Sequence, residues 1–199
     1  MSQWIVTPDK FLTDEESKKL RRMCEEAAII AKSKGNQMAV RNRLIIEMAL
    51  GTGLRVSELA NLKIDDIHIR KGQNSLIVNN GKGDKDRVVG FNNKLKVLIQ
   101  EYLDYKSSNS PYLFPSERGE KMTRYGISRV FKTMASKACL DSKHSIHTLR
   151  HTYATNLYKA SGYNLRMVQK QLGHSSITTT TVYSDVLNQD LTDALENLE

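Results

Sequence analysis

Residues 145–153 read SIHTLRHTY, a run in which nitrogen donors recur among apolar side chains. At helical spacing, His147 and Arg150 lie three residues apart and so project from one face. An apolar stripe runs beside them through Ile146, Leu149, Tyr153 and Leu157. The pattern predicts a helix that packs through one side and presents hydrogen-bond donors on the other.

The donors on this predicted helix suit a phosphate group. The guanidinium of Arg150 is a fixed fork of donors that matches phosphate oxygens. His174 follows Arg150 by 24 residues, and Tyr183 follows His174 by nine. Because a tyrosine hydroxyl beside a bound phosphate can act as a nucleophile, Tyr183 is a candidate for that role.

Two earlier stretches carry further candidates. Residues 51–59 read GTGLRVSEL, where Arg55 is expected in the first turn of a short helix with Glu58 three residues on. Spacing alone favours an exposed ion pair, which stabilises little. Residues 80–86 read NGKGDKD and place Lys82 at a hairpin tip, where spacing alone indicates a solvated lysine. The P-loop pattern G-x-x-x-x-G-K-[ST] is absent.

Taken in order, these motifs resemble those of the tyrosine recombinases, the phage integrase family. GTGLRVSEL resembles the first arginine motif of the family, and the Gly-Lys-Gly hairpin before an Arg-Val-Val strand resembles its lysine hairpin. The resemblance covers roughly residue 10 to the end, and the motifs are specific as a set. It implies six catalytic residues: Arg55, Lys82, His147, Arg150, His174 and Tyr183.

The resemblance also implies a role for each residue. The two arginines bind the scissile phosphate, and His174 donates a hydrogen bond to it. Tyr183 attacks phosphorus to leave a 3′-phosphotyrosyl link, while Lys82 gives a proton to the leaving 5′-oxygen and His147 accepts or relays the tyrosine proton. No metal or other cofactor is implied, because the covalent link retains the energy of the ester. Supporting roles fall to Glu58 as an orienting residue, and to Lys85, Arg87 and His151 as DNA-binding residues.

Residue patterns predict a mainly helical α+β fold. The resemblance implies that this fold is that of the tyrosine recombinase catalytic domain. A capping box at Thr13 and Glu16 starts the first helix. The helices are expected near residues 13–33, 37–50, 54–62, 93–105, 123–138, 147–160 and 164–172. A small antiparallel sheet of three strands is expected at residues 66–69, 75–79 and 87–91.

The basic character of the chain favours a polyanionic partner. Its net charge is +8, and residues 185–199 hold five acidic side chains and no basic one, so removing those five charges leaves +13 on the rest. Such a body attracts nucleic acid through counterion release, although charge alone is equally compatible with a solubility role. The two cysteines form no C-x-x-C pair, and no signal peptide is apparent, so we expect a cytoplasmic protein that associates with the nucleoid when bound to DNA.

The expected organisation is one domain with a docking tail. Residues 1–12 are interpreted as a leader or linker remnant and residues 13–199 as the catalytic domain, without the N-terminal core-binding domain usual in the family. Residues 186–199 are expected to form an acidic amphipathic helix. The expected partners are double-stranded DNA and further copies of this chain, in a homotetramer joined through that tail. Neither a membrane nor a small-molecule substrate is expected.

Three alternatives compete with a site-specific recombinase. A cleavage-deficient DNA-binding accessory module would keep the same fold, and a type IB topoisomerase would share the tyrosine chemistry without exchanging partners. A zinc hydrolase is suggested by His147 and His151 at i, i+4, but Thr148 stands where H-E-x-x-H requires glutamate. The complete set of six residues favours the recombinase.

Overall fold

The computed structural model describes residues 10–70, 73–79 and 86–173 of the chain. Within them the chain forms seven α-helices and one sheet. The helices are α1 (Asp14–Ser33), α2 (Gln37–Thr52), α3 (Val56–Asn61), α4 (Asn93–Tyr105), α5 (Arg124–Lys137), α6 (Ile146–Ala160) and α7 (Leu165–Leu172). The strands are β1 (Ile67–Arg70), β2 (Gln73–Val78) and β3 (Arg87–Gly90). The predicted mainly helical α+β class is confirmed.

Local capping signals set the helix ends, as the sequence predicts. Thr13 accepts a hydrogen bond from the Glu16 amide while the Glu16 carboxylate accepts one from the Thr13 amide, which is the predicted capping box. Helix α2 ends at Thr52, two residues beyond the predicted end at Leu50, and its C-cap Gly53 is in the left-handed conformation. Glycine adopts that conformation without steric cost, so it terminates the helix.

The sheet is antiparallel in the order β1-β2-β3, and its strands begin and end within two residues of the predicted positions. Ile67 lies opposite Leu76, and Leu76 lies opposite Val89. Leu76 and Val89 are fully buried, so one face of the sheet packs on the helices. The predicted three-stranded antiparallel sheet is therefore confirmed. Lys82 and Lys85, between β2 and β3, lie outside the described residues.

Helix α2 forms the centre of the molecule. Every residue from Leu44 to Leu50 is buried, and α2 packs against α1, α4 and α6. The buried carboxylate of Glu47 is paired with Arg21 of α1 at 2.9 Å, because a charge inside a core requires a partner. No helix in the described part of the chain is long and apolar enough to span a bilayer.

A second, smaller apolar cluster joins α6 to α7. Ala154 and Tyr158 of α6 pack with Val168 and Leu172 of α7, and all four are buried. This contact fixes the last turn of α7 beside the loop that follows α2. Burial of these side chains thus determines where the chain leaves α7 and continues toward His174.

Candidate active site

The turn between α2 and α3 is the point on which the candidate site is built. Gly53 follows α2 with φ +63, and Arg55 is the N-cap of α3, one position before the first turn in which the sequence predicts it. A Cβ atom on Gly53 would lie 2.4 Å from Cδ1 of Tyr153 and 2.8 Å from Cδ2 of Leu172. Glycine at this position therefore permits α6 and α7 to contact the turn.

Arg150 of α6 binds the same turn. Its Nη1 donates to the carbonyl of Gly53, and its Nη2 donates to the carbonyl of Leu172 at 2.9 Å. Arg150 is buried, whereas His147 on the same helix is exposed. The predicted outer face of donors is thus wrong for Arg150, because its guanidinium satisfies the last carbonyl of α7 and the carbonyl that follows α2.

Glu58 of α3 is the hub of a second set of contacts. Its carboxylate accepts from the Arg55 amide at 2.7 Å and from Arg55 Nη1 at 2.8 Å. It also accepts from Nη1 and Nη2 of Arg87, both at 2.8 Å, in a bidentate pair. The Glu58 side chain is 8% exposed. The exposed ion pair that spacing alone predicts is therefore wrong, and a partly buried network of three residues takes its place.

The pKa of Glu58 reflects this network. Burial acts to raise the pKa, but the hydrogen bonds from Arg87 and Arg55 outweigh it and lower the pKa from 4.5 to about 2. Glu58 is therefore a carboxylate throughout the physiological range. It neutralises one of the two arginines and leaves the group with a net positive charge.

Arg87, at the start of β3, reaches the end of α7 as well as Glu58. Its Nε donates to the carbonyl of Gln171 at 3.3 Å, and its side chain is 12% exposed. The side-chain Oε1 of Gln171 accepts from the Gly90 amide at 3.2 Å, so β3 and α7 are joined at both ends of the strand. Gln171 was not predicted from the sequence, because its only signal there is its place three residues before His174. The DNA-binding role of Arg87 stays a prediction, but the structure directs its donors into the protein.

The two histidines of α6 differ in environment. His147 lies in the first helical turn with an exposed side chain. His151 is half-buried, and burial lowers its pKa to about 4, assisted by the positive charges of Arg150, His147 and Lys10. The imidazole of His151 is therefore neutral at pH 7, and any contact it makes with DNA is that of a neutral donor or acceptor.

The structure thus brings together four of the predicted site residues, Arg55, Glu58, Arg87 and Arg150, around one turn. Lys82, Lys85, His174 and Tyr183 lie outside the described residues. Among the described residues, no three His, Cys, Asp or Glu side chains are grouped so that they could hold a metal ion. Three guanidinium groups and one carboxylate give this turn a net positive charge, which favours an anion such as a phosphodiester.

Comparison with known proteins agrees with this chemistry. A model of the phage integrase family matches residues 10–190. The tyrosine recombinase XerA of Pyrococcus furiosus is 40% identical over 193 residues, which are 96% of this chain and 62% of that protein. The chain therefore spans less than two thirds of the length of this relative.

Solved structures show the same fold. The crystal structure of XerA recombinase superposes with a TM-score of 0.76 at 31% identity, over 94% of this chain and 64% of that one. The XerH site-specific recombinase, in its post-cleavage complex with palindromic difH substrate, has a TM-score of 0.77 at 29% identity, over 93% of this chain and 52% of that one. The fold of this chain is thus that of solved recombinase domains, one of them in complex with its DNA substrate.

Proposed function

This chain belongs to the phage integrase family, and from that membership we propose that it catalyses site-specific breakage and rejoining of double-stranded DNA. The exchange corresponds to integration, excision or resolution. The XerA and XerH proteins that resemble it are named as recombinases, and XerH was solved in a post-cleavage complex with its DNA substrate. The similarity to these recombinases supports the proposal, and the contacts among this chain's own residues provide further support.

The observation that carries the proposal is the hydrogen bond from Arg150 to the Gly53 turn, which leads directly into Arg55. The two arginines are far apart in the chain, yet Arg150 bonds the carbonyl of Gly53 two residues before Arg55. A phosphodiester resists attack because its negative oxygens repel a nucleophile. Two guanidinium groups placed at one site offset that repulsion most strongly in the pentacoordinate state, where charge accumulates.

Strand breakage proceeds by transesterification. The Tyr183 oxygen forms a bond to phosphorus, and the bond from phosphorus to the 5′-oxygen breaks. His147 accepts or relays the tyrosine proton, and Lys82 gives a proton to the departing 5′-oxygen, so charge balances across the step. His174 donates a hydrogen bond to a phosphate oxygen. Attack by a second DNA 5′-hydroxyl reverses the reaction and joins a new strand without ATP.

Glu58 and Arg87 act in this scheme without contacting the reacting atoms. Glu58 fixes the side chain of Arg55 through the 2.8 Å bond to Nη1. Because Arg87 supplies a second positive charge to the same carboxylate, Arg55 remains a net cation for the phosphate. A buried carboxylate that served Arg55 alone would cancel its charge.

Assembly follows from the same proposal. Residues 186–199 carry leucines at helical spacing among acidic side chains, a composition suited to a protein groove rather than to DNA. These residues lie outside the described part of the chain. We propose that they dock on a neighbouring protomer of a homotetramer on synapsed DNA, and that removing residues 187–199 lowers assembly on DNA without abolishing cleavage by single protomers. Unchanged assembly of the truncated protein contradicts this role.

Covalent trapping tests the proposed activity. Wild-type protein and the Tyr183→Phe variant are incubated in EDTA with a randomised library of nicked duplexes, in which the cleaved end diffuses away and blocks religation. We expect a denaturant-resistant protein–DNA adduct with wild type alone. Sequencing the trapped DNA then identifies the preferred site.

Other outcomes of the trapping experiment would identify one of the alternative functions. Equal behaviour of wild type and Tyr183→Phe in every DNA transaction identifies an accessory module. Adducts that form at scattered sequences, together with relaxation of supercoiled plasmid and no exchange of strands between duplexes, identify a topoisomerase. Loss of the adduct in EDTA alone contradicts the metal-free scheme.

A further inference from the structure

We propose that Arg87 is a positioning residue that couples the phosphate-binding arginine Arg55 to the end of α7, which leads into His174. This proposal rests on the proposed function for its catalytic consequence. It replaces the simpler expectation that Arg87 contacts the DNA backbone. Three sets of contacts support it.

The first set is the bidentate pair with Glu58. Both terminal nitrogens of Arg87 lie 2.8 Å from the two carboxylate oxygens, while Arg55 Nη1 shares one of those oxygens. A planar fork fixes the plane of the carboxylate as well as its distance, which a single ammonium group does not. Arg87 therefore sets the orientation of the group that orients Arg55.

The second set joins Arg87 to α7. Its Nε donates to the carbonyl of Gln171, and a Cβ atom on Gly173 would lie 2.6 Å from the Arg87 Cδ. The stem of Arg87 thus lies directly against the glycine that precedes His174. Since Gly173 has φ +64, the chain leaves α7 at an angle that Arg87 supports.

The third set is the attachment of β3 itself. Gln171 Oε1 accepts from the Gly90 amide at the far end of the strand, and Arg87 begins the strand five residues after Lys82 in sequence. The Arg87 side chain therefore binds both Glu58 of α3 and the last turn of α7, from a strand that follows Lys82 in sequence. Movement of any of these elements alters the others through Arg87.

Positioning and DNA contact predict opposite kinetic results. Loss of a phosphate contact weakens binding at all sequences and reduces the salt slope by about 1, with the cleavage rate at saturating DNA unchanged. Loss of a positioning residue leaves affinity and slope unchanged and lowers the rate at saturation, by on the order of 10²-fold for a displacement near 1 Å. The 12% exposure of the Arg87 side chain favours the second result.

The experiment compares Arg87→Gln and Arg87→Lys with wild type on the duplex recovered by trapping. Arg22→Gln is the matched control, because Arg22 is an exposed arginine of α1 with a loose 3.8 Å partner. We expect both Arg87 variants to form adduct slowly at saturating DNA, with lysine a poor substitute because it lacks the fork. In a Glu58→Gln background the Arg87→Gln change should lower the rate of adduct formation little further, since the two residues act through one ion pair.

Hydrogen exchange without DNA keeps the test independent of activity. We expect Arg87→Gln, but not Arg22→Gln, to accelerate amide exchange at residues 168–173 and 55–59, in protein that urea unfolding shows to be folded. If Arg87→Gln does not fold, the Arg87→Lys comparison is used. Unchanged exchange, or a rate at saturation equal to wild type with a reduced salt slope, overturns the proposal. If wild type forms no adduct while exchange still responds, the proposed function fails and the coupling by Arg87 stands.

Discussion

At the scale of single residues, Gly53 is a position that admits little change. Its left-handed φ and the approach of Tyr153 and Leu172 act together, because a side chain there is strained by its own backbone and meets two neighbours. Displacement of this turn would also move Arg55, which caps α3 two residues later. Stability and the proposed catalysis would therefore depend on the same glycine.

We expect Gly53→Ala to destabilise the fold by about 3 kcal/mol, combining the left-handed backbone penalty with overpacking. Gly35→Ala is the matched control, because Gly35 has φ +68 and a Cβ atom added there would meet no other atom within 4 Å. The control should lose only about 1 kcal/mol of stability, which is the penalty for the left-handed backbone alone. Urea unfolding measures both, and equal losses would show that contacts of α6 and α7 with the turn are unimportant.

Glu58 gives a prediction for the dependence of stability on pH. Its pKa falls from 4.5 to about 2 on folding, so the carboxylate stabilises the native state above pH 4.5. That contribution, on the order of 3 kcal/mol, is lost as pH decreases from about 4.5 to about 2. Glu58→Gln should therefore be less stable at pH 7 and lose less stability across that range.

Thermal unfolding of Glu58→Gln between pH 2 and pH 7 measures this effect. Glu15→Gln is the control, since the Glu15 side chain is 78% exposed and its pair with Lys19 is solvated. Its unfolding profile should follow that of wild type. Parallel profiles for Glu58→Gln and wild type below pH 4.5 would mean that Glu58 does not act as a buried carboxylate paired with two arginines.

At the scale of elements, α7 is a short helix that contacts two arginines of the candidate site. It has eight residues, and the carbonyls of its last two, Gln171 and Leu172, accept from Arg87 and Arg150. A helix of this length is marginal by itself, so its N-terminal cap and its packing on α6 hold it together. Asn164 provides that cap by accepting from the Met167 amide at 3.0 Å.

We expect Asn164→Ala to cost about 1 kcal/mol of stability and to accelerate hydrogen exchange at the end of α7. Asn92→Ala is the control, because Asn92 caps α4 in the same manner, accepting from the Leu95 amide at 2.9 Å. The control should cost a similar amount but leave α7 and adduct formation unaltered. If both variants slow adduct formation equally, general stability rather than α7 accounts for the effect.

At the scale of the whole molecule, the excess of basic side chains favours a polyanion such as DNA. The net charge is +8 although residues 185–199 are purely acidic among their charged side chains. We expect affinity for duplex DNA to fall by about 10³-fold or more between about 50 and about 200 mM salt, as counterion release is lost. Fluorescence anisotropy measures the slope, and a flat dependence would show that the positive charge serves solubility alone.

The sequence by itself determined the local structure and the order of the motifs. The capping box at Thr13, the glycine that ends α2 and the period of α4 placed those helices, because capping and periodicity act between residues a few positions apart. Each family motif is also a short run of neighbouring residues, so the motifs could be recognised from the sequence as a set. Arg55, Arg150 and Glu58 were therefore predicted as site residues from the sequence, through its resemblance to the family.

Only the tertiary structure decided how those residues meet. Arg87 and Glu58 are 29 residues apart, Arg87 and Gln171 are 84 apart, and Arg150 and Gly53 are 97 apart. Spacing predicted an exposed pair at Glu58 and an outward Arg150, but that pair is partly buried and Arg150 is buried. Contacts at such separations depend on which faces the whole core buries together, and no local pattern records that choice.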